Sequence, residues 1–194
     1  YGISFEYINE VSVSWVFPRA HQFYFPEMFF GLVPGDVIVW YFLWVFIIVS
    51  YYEYFIDSPY VPKLQLRRVG KAIVLGLLPL SVIALSKYVF DVSLAIPYAY
   101  TVTCIATLAP VYILYRRKPG IFPKLVRTVP FLSVFFLIME CVALYTGEWQ
   151  FITGYSYAFT VYGFLVPIEE IVFWIILSPL IIAAYHELFL DDER

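Results

Sequence analysis

The sequence carries little charge for its length. Asp, Glu, Lys and Arg make up 14% of the 194 residues, whereas soluble domains contain about 25%. The 12 basic residues do not outnumber the 15 acidic ones, and the formal net charge is −3. Proteins that bind nucleic acids need a basic face to match the phosphates. The charge balance therefore argues against a nucleic acid as a partner.

Signatures of several enzyme classes are also absent from the sequence. It has no GxGxxG motif for a dinucleotide, no DxxxD motif for a magnesium diphosphate, and no visible set of nucleophile, histidine and acid. The two cysteines (Cys104, Cys141) lie in apolar runs, and the two histidines (His21, His186) lack metal-ligand spacing. We therefore expect no cofactor and no metal site.

Long apolar runs occupy most of the chain, which is 62% hydrophobic and 22% aromatic with a mean hydropathy of +0.82. A helix needs about 20 apolar residues to cross a bilayer. The pattern predicts an all-α, polytopic membrane helical bundle that forms a single transmembrane domain over residues 1–194. We expect about five spans, with kinks at Pro97 and Pro110 in the third. The spans cover about Val33–Phe55, Ala72–Phe90, Leu94–Tyr115, Thr128–Tyr145 and Tyr162–Leu188.

The basic residues are concentrated in two of the connections between these runs. Residues 57–71 contain four Lys and Arg, residues 116–127 contain five, and the other connections contain almost none. Basic loops of membrane proteins stay in the cytoplasm. The sequence therefore predicts an integral membrane protein with both basic loops and the C-terminus on the cytoplasmic side.

The two ends of the chain match when one is shifted by 133–134 positions. The matched pairs are Glu6 and Glu140, Trp15 and Trp149, Pro34 and Pro167, Asp36 and Glu169, and Tyr52 and Tyr185. The pattern predicts two parallel repeats, about 1–57 and 135–191, joined by spans within 72–115. A repeat of three helices around a linker helix (3+1+3) has seven spans. We therefore expect upstream helices, or a second chain, to complete the bundle.

Acidic residues within or beside the apolar runs are the candidates for chemistry, because charge is costly in hydrocarbon. Glu169 and Glu170 follow Pro167, and Asp36 takes the matching place in the first repeat. Glu140 lies ten residues after Pro130, about 15 Å along a helix. The alternative for the adjacent pair is a solvated cap, since carboxylates also stabilise helix N-termini.

Aromatic residues near these acids are candidates for binding an apolar ligand. Trp residues also form interfacial belts and packing contacts, which is the alternative interpretation. The candidate ligand-binding residues are Trp15, Trp40, Trp149, Phe173 and Trp174, together with Glu6.

One segment resembles a known family. The sequence PIEEIVFW (Pro167–Trp174), after GEWQF and YGF within Gly147–Phe164, resembles the lycopene cyclase domain. That family comprises small membrane carotenoid cyclases that occur as heterodimers in actinobacteria and as fusions in archaea and fungi. Its mark is a duplicated PxE(E/D) motif, and the fused form has seven spans in two halves. The first half here reads PGD (Pro34–Asp36), with one acid where the family usually has two.

The resemblance implies redox-neutral cyclisation of a linear polyene end in a prokaryotic cytoplasmic membrane. A protonated Glu169 or Glu170 donates a proton to a terminal C=C bond, and aromatic faces and a carboxylate hold the carbocation. Asp36 and Glu140 then act as stabiliser or base. Partners would be the polyene substrate and membrane lipid.

Two other functions stay open at this point. One is a non-catalytic carotenoid- or lipid-binding subunit that keeps the fold. The other is a small proton-coupled transporter with a 3+1+3 repeat, in which intramembrane acids carry protons.

Overall fold

Four long apolar helices dominate the part of the chain that the structure describes. The computed structural model describes residues 2–18, 25, 27–57 and 66–189. Within them, the helices long and apolar enough to span a membrane are Gly35–Ile56, Gly70–Tyr88, Val129–Thr146 and Glu170–Phe189. The protein is thus an all-α helical bundle of an integral membrane protein, as predicted. The first, second and fourth predicted spans agree with these helices to within two residues.

The helices are numbered in chain order. The helix Gly35–Tyr51 continues into a π-helical turn over Tyr52–Ile56, and the last helix follows a π-helical segment over Glu170–Leu177. The bounds are α1 Gly2–Val11, α2 Gly35–Tyr51, α3 Leu66–Tyr88, α4 Ala99–Thr107, α5 Ala109–Arg117, α6 Phe122–Arg127, α7 Val129–Thr146 and α8 Ser178–Phe189.

The third predicted span, Leu94–Tyr115, is not one helix. It consists of α4 and α5, which meet at Leu108. Pro110 lacks an N–H and its ring would clash with the carbonyl four residues earlier, which favours a break in the helix at this point. Pro97 lies before the start of α4 and therefore does not kink it.

The fifth predicted span, Tyr162–Leu188, starts too early. Residues 162–167 belong to a β-hairpin, and helical structure begins only after Pro167. Tyr162 and Gly163 have φ angles of 49° and 86°. Positive φ at both central residues is the geometry of a two-residue type I′ turn, whose twist suits a hairpin.

Three short antiparallel strand pairs lie at the ends of the helices. The two acidic motifs, PGD (Pro34–Asp36) and PIEE (Pro167–Glu170), each begin where one of these pairs ends. The strands are β1 Trp15–Val16, β2 Met28–Phe29, β3 Val33–Pro34, β4 Gln150–Phe151, β5 Ala158–Val161 and β6 Phe164–Pro167, paired as β1–β4, β2–β3 and β5–β6.

Strands β1 and β4 lie at the matched residues Trp15 and Trp149 of the two repeats, and they pair with each other. Trp15 lies opposite Phe151, and Val16 lies opposite Gln150. This pairing brings the front of the chain against the segment before the last helix. The repeat boundaries themselves stay a prediction.

The last span, Glu170–Phe189, lies at the centre of the bundle. Half of its apolar window is buried, against 6% for Gly70–Tyr88 and 28% for Val129–Thr146. One cluster of buried side chains surrounds Trp15 and Tyr100, a second surrounds Trp44 and Phe136, and a third surrounds Tyr52 and Leu180. Apolar side chains elsewhere on the long helices face outward, as expected where lipid is the solvent.

Residues 58–65 of the first basic connection and residues 190–194 lie outside the described residues, as does His21. The side of the membrane on which the C-terminus lies stays a prediction from loop charge.

Candidate functional site

A partly open cavity of about 350 Å³ lies between α1, α2, the β1–β4 pair and the start of the last span. Most of the candidate residues meet there. The candidates that line the cavity are Glu6, Trp15, Asp36, Trp40, Trp149, Glu170 and Trp174. Among the lining residues in the described part of the chain there is no Lys, Arg or His.

Glu170 is the acid of the PIEE motif that faces this cavity, and it is 4% exposed. The hydroxyl group of Tyr100 donates a hydrogen bond to Glu170 Oε2. The carboxyl group of Glu140 lies beside that of Glu170, within reach of a hydrogen bond between the two, and Glu140 Oε2 is buried without another partner. A hydrogen bond between two carboxyl groups requires a proton on one of them. The pair can therefore hold one proton at the edge of the cavity.

Glu140 is the inner member of this pair. It lies in α7, is 2% exposed and does not line the cavity. Trp149 Nε1 donates a hydrogen bond of 3.1 Å to Glu140 Oε1. The indole thus fixes the orientation of the carboxyl group that shares the proton with Glu170.

Glu6 is a second buried acid on the cavity wall, held in a matching way. Trp15 Nε1 donates to Glu6 Oε2 at 2.9 Å, and the Tyr41 hydroxyl donates to Oε1 at 2.8 Å. In both acid–indole pairs the Trp follows the Glu by nine residues. Burial raises the pKa of Glu6 to about 7, and the two hydrogen bonds limit the rise. Glu6 therefore changes its protonation near neutral pH.

Glu169 faces away from the cavity despite its place beside Glu170. Its Oε1 accepts hydrogen bonds from the Thr101 hydroxyl and from both the N–H and the hydroxyl of Ser156, the last two at 2.7 Å. Burial raises the pKa of Glu169, but these hydrogen bonds lower it more, and it lies below its ordinary value. Glu169 joins α4 to the segment before β5 and is suited to stay ionised.

Asp36 lies on the cavity wall at the first turn of α2. Its Oδ2 accepts a hydrogen bond of 2.9 Å from the N–H of Phe25. In the same region, the N–H of Gly35 donates to the carbonyl of Glu27 at 3.0 Å. Asp36 therefore holds the chain segment that precedes the helix, in addition to any role at the cavity.

Tryptophan rings form one side of the cavity. The ring of Trp40 stacks on those of Trp44 and Trp174, with centroid distances of 5.5 and 5.2 Å, and lies 6.4 Å from that of Trp149. Trp15 contacts Tyr100 edge to face at 4.9 Å. Phe173 lies outside this cavity and lines a smaller one of about 70 Å³.

No sequence pattern predicted the hydroxyl groups that hold the acids. Tyr100 and Thr101 contact Glu170 and Glu169 across 70 and 68 residues of sequence. Tyr41 lies in the middle of an apolar run. Such contacts depend on the packing of α4 and α2 against the last span, which no local pattern encodes.

The chemistry of the site is that of a proton donor in apolar surroundings. Within the described residues, no three His, Cys, Asp or Glu side chains are placed to hold a metal ion. Comparisons of the chain with protein-family models, with curated proteins and with solved structures found no match. The resemblance to the lycopene cyclase domain therefore stays a prediction.

Proposed function

We propose that this protein is an integral-membrane cyclase that closes the end of a linear, lycopene-type polyene by proton-initiated, redox-neutral cyclisation. The observation that carries the proposal is the Glu140–Glu170 pair at the edge of a cavity lined by tryptophans. Protonation of an alkene needs a carboxylic acid that an apolar site keeps neutral. Aromatic faces stabilise a nearby cation electrostatically.

In the proposed reaction, Glu170 transfers the proton that it shares with Glu140 to the terminal C=C bond. The π electrons of that bond form the new C–H bond and leave a carbocation on the neighbouring carbon. A second C=C bond attacks the carbocation, and a ring closes. A C–H bond next to the new cation then releases a proton, so substrate and product are isomers and no oxidant or reductant is needed.

The proposal assigns uptake of the released proton to Glu6. Glu6 lines the same cavity, and its pKa of about 7 lets it accept and release a proton near neutral pH. Glu169 is a positioning residue, because it holds the neighbouring segments and does not reach the cavity. Asp36 contributes negative charge at the wall of the cavity.

The position of the cavity suits a substrate that is dissolved in the membrane. Val39 and Leu43 line it and are 41% and 51% exposed on the outside of a candidate span. Its volume of about 350 Å³ is near the lower end of the roughly 300–1,000 Å³ of drug-sized ligand pockets. One end of a long polyene fits such a cavity while the rest stays in lipid.

The test is pigment analysis of lycopene-producing cells that express the chain. The wild-type protein should form a cyclic carotenoid, Glu170→Gln should abolish it, and the exposed-site control Glu27→Gln should keep it. Full activity of Glu170→Gln would refute the assignment of the acid. Unchanged lycopene with folded wild-type protein, both alone and with the expected upstream helices supplied, would contradict the proposed function. Bound but unconverted pigment would indicate a binding subunit.

A second candidate function is proton-coupled transport. The observation that favours it is a further polar cluster near the other ends of the same spans. His186 Nε2 lies 2.5 Å from Glu53 Oε1, and the Tyr52 hydroxyl donates to Glu187. Chains of intramembrane acids and histidines are typical of proton relays. Solute uptake into vesicles driven by a pH gradient, and lost in Glu53→Gln, would support transport over cyclisation.

A further inference from the structure

The β5–β6 hairpin lies within a long stretch of sequence that has no charged residue. From Trp149 to Ile168 the chain has 20 residues without Asp, Glu, Lys, Arg or His. Within the hairpin, Ala158 pairs with Pro167 and Val161 with Phe164, and the N–H of Ile168 donates to the carbonyl of Tyr157. The hairpin therefore has regular strand pairing, and none of its side chains is charged.

The two strands of this hairpin have different surroundings. Phe164 and Leu165 of β6 pack against the buried cluster around Trp15. The residues of β5 and of the turn point outward, with Phe159 37%, Val161 45% and Tyr162 98% exposed. Tyr157 is 61% exposed and packs edge to face on Phe159. One side of the hairpin thus carries an uncovered apolar and aromatic surface.

The helices fix the depth of the hairpin. α7 ends at Thr146, and the last span begins at Glu170, three residues after β6. Glu170 lies close to Glu140, which is six residues before Thr146, so the last span begins about 9 Å below the end of α7. The four residues of β6 cover about 13 Å, which is long enough for the turn of the hairpin to lie where α7 leaves the membrane. That surface is opposite the basic residues 116–127, which precede α7.

Backbone hydrogen bonding excludes the hydrocarbon core for this element. In the described part of the chain, β5 is the outer strand of a two-stranded sheet, so one of its edges has no strand partner. Unpaired strand edges do not occur in contact with hydrocarbon, because no water is present to bond them. Tyr and other aromatic side chains are instead enriched at the headgroup level, where rings are apolar and water remains available.

We infer that the β5–β6 hairpin is an interfacial anchor that inserts Tyr157, Phe159, Val161 and Tyr162 among lipid headgroups. The hairpin is neither a water-exposed loop nor a docking site for another polypeptide. Because Pro167 leads directly into the helix that carries Glu170, the anchor also fixes the depth of the acid pair and cavity relative to the lipid. The inference does not depend on the reaction proposed above.

The test is the accessibility of a nitroxide spin label at position 162 in phosphatidylcholine vesicles. The label is attached to Tyr162→Cys in the full chain with Cys104→Ala and Cys141→Ala, and Val161→Cys serves as a second site. Collision rates are measured with oxygen, which partitions into lipid, and with a charged-ligand nickel chelate, which stays in water. Two controls represent the lipid and water limits of depth. Phe46→Cys lies on a membrane span, where the Phe46 side chain is 61% exposed. Gly120→Cys lies in the basic loop, where no atom lies near the position of its Cβ.

The inference predicts an oxygen-to-nickel collision ratio at 161 and 162 between those of the two controls. A ratio equal to that at Gly120→Cys would place the hairpin in water and overturn the inference. Low collision rates with both reagents would show that protein covers the hairpin, which would overturn it equally.

Discussion

The two adjacent acids of the PIEE motif should respond in opposite ways to the same substitution. Glu169 makes three hydrogen bonds through one oxygen, with Thr101 and Ser156, and is 1% exposed. Hydrogen bonds to a charged group contribute about 1.5–3 kcal/mol each, and neutral ones about 0.5–1.5. Because the three bonds share one oxygen, their contributions are less than additive.

From these values, Glu169→Gln should lower the free energy of unfolding by about 1–2 kcal/mol, since the amide oxygen can still accept hydrogen bonds. Glu169→Ala leaves the buried donors without an acceptor and should cost about 3–5 kcal/mol. For a chain of this size, each kcal/mol shifts the melting temperature by about 2–4 °C. The two variants should therefore melt about 2–8 °C and 6–20 °C below the wild type.

Glu170→Gln should give the reverse pattern. The amide fills the same space and can still bond Tyr100 and Glu140, so the melting temperature should change by less than in Glu169→Ala. It has no acidic proton to give, so cyclase activity should be lost, whereas Glu169→Gln should keep measurable activity. The assay combines thermal unfolding of the purified protein in detergent with product analysis. Unchanged stability of Glu169→Ala, or activity lost equally in both Gln variants, would refute this division of roles.

Three further predictions follow from the site and its surroundings. Tyr100→Phe removes the donor to Glu170 and should lower the turnover rate about tenfold, as expected for loss of one hydrogen bond worth roughly 1.4 kcal/mol; unchanged turnover would contradict it. Burial raises the pKa of Glu6 from 4.5 to about 7, so the folded state binds more protons than the unfolded state in that window, and stability should fall as pH rises from about 4.5 to 7. Glu6→Gln should flatten this dependence in melting curves, and an unchanged slope would count against it. Gly154 has a φ of +81°, and a Cβ there would lie 2.5 Å from Ser14 Oγ; Gly154→Ala should therefore destabilise the protein by about 1–3 kcal/mol in thermal unfolding, while Gly76→Ala, in open space, should not.

The membrane class and most helix positions could be predicted because run length and hydrophobicity act locally. Gly35–Ile56 and Val129–Thr146 are almost uniformly apolar, and a helix satisfies their backbone groups within one segment in lipid. The same uniformity hides changes of helix type, since an all-apolar segment has no periodicity to reveal a π-helix. The π-helical segment Glu170–Leu177 was therefore not predicted.

Two predicted spans had wrong boundaries for the opposite reason. In each, the length of the apolar run was given more weight than a local signal for a turn or a helix break. Tyr162–Val166 is apolar enough to extend a span, but the Tyr162–Gly163 turn makes it a strand. At Pro110 we predicted a kink within one helix, whereas the structure has two helices that meet at Leu108. In both places the backbone chemistry of one or two residues decided the structure.

The sequence pattern singled out the acids as candidates but did not distinguish their different contacts. Adjacent residues on a helix point in different directions. Spacing alone does not show which of Glu169 and Glu170 faces the cavity until the orientation of the helix is known. That orientation comes from contacts with Tyr100 and Thr101 on α4. Among the aromatic candidates, Trp15 bonds to Glu6 and lines the cavity, whereas Phe173 lies outside it.

The central claim is that a protein carboxyl group starts the reaction by giving a proton to carbon. The most direct measurement is mass analysis of the product formed by the purified protein from lycopene in D₂O. Each ring closed should add one deuterium to carbon, because the donated proton exchanges with solvent and the released one comes from the substrate. A product with no added deuterium, or one whose hydrogen count differs from that of lycopene, would contradict proton-initiated, redox-neutral cyclisation.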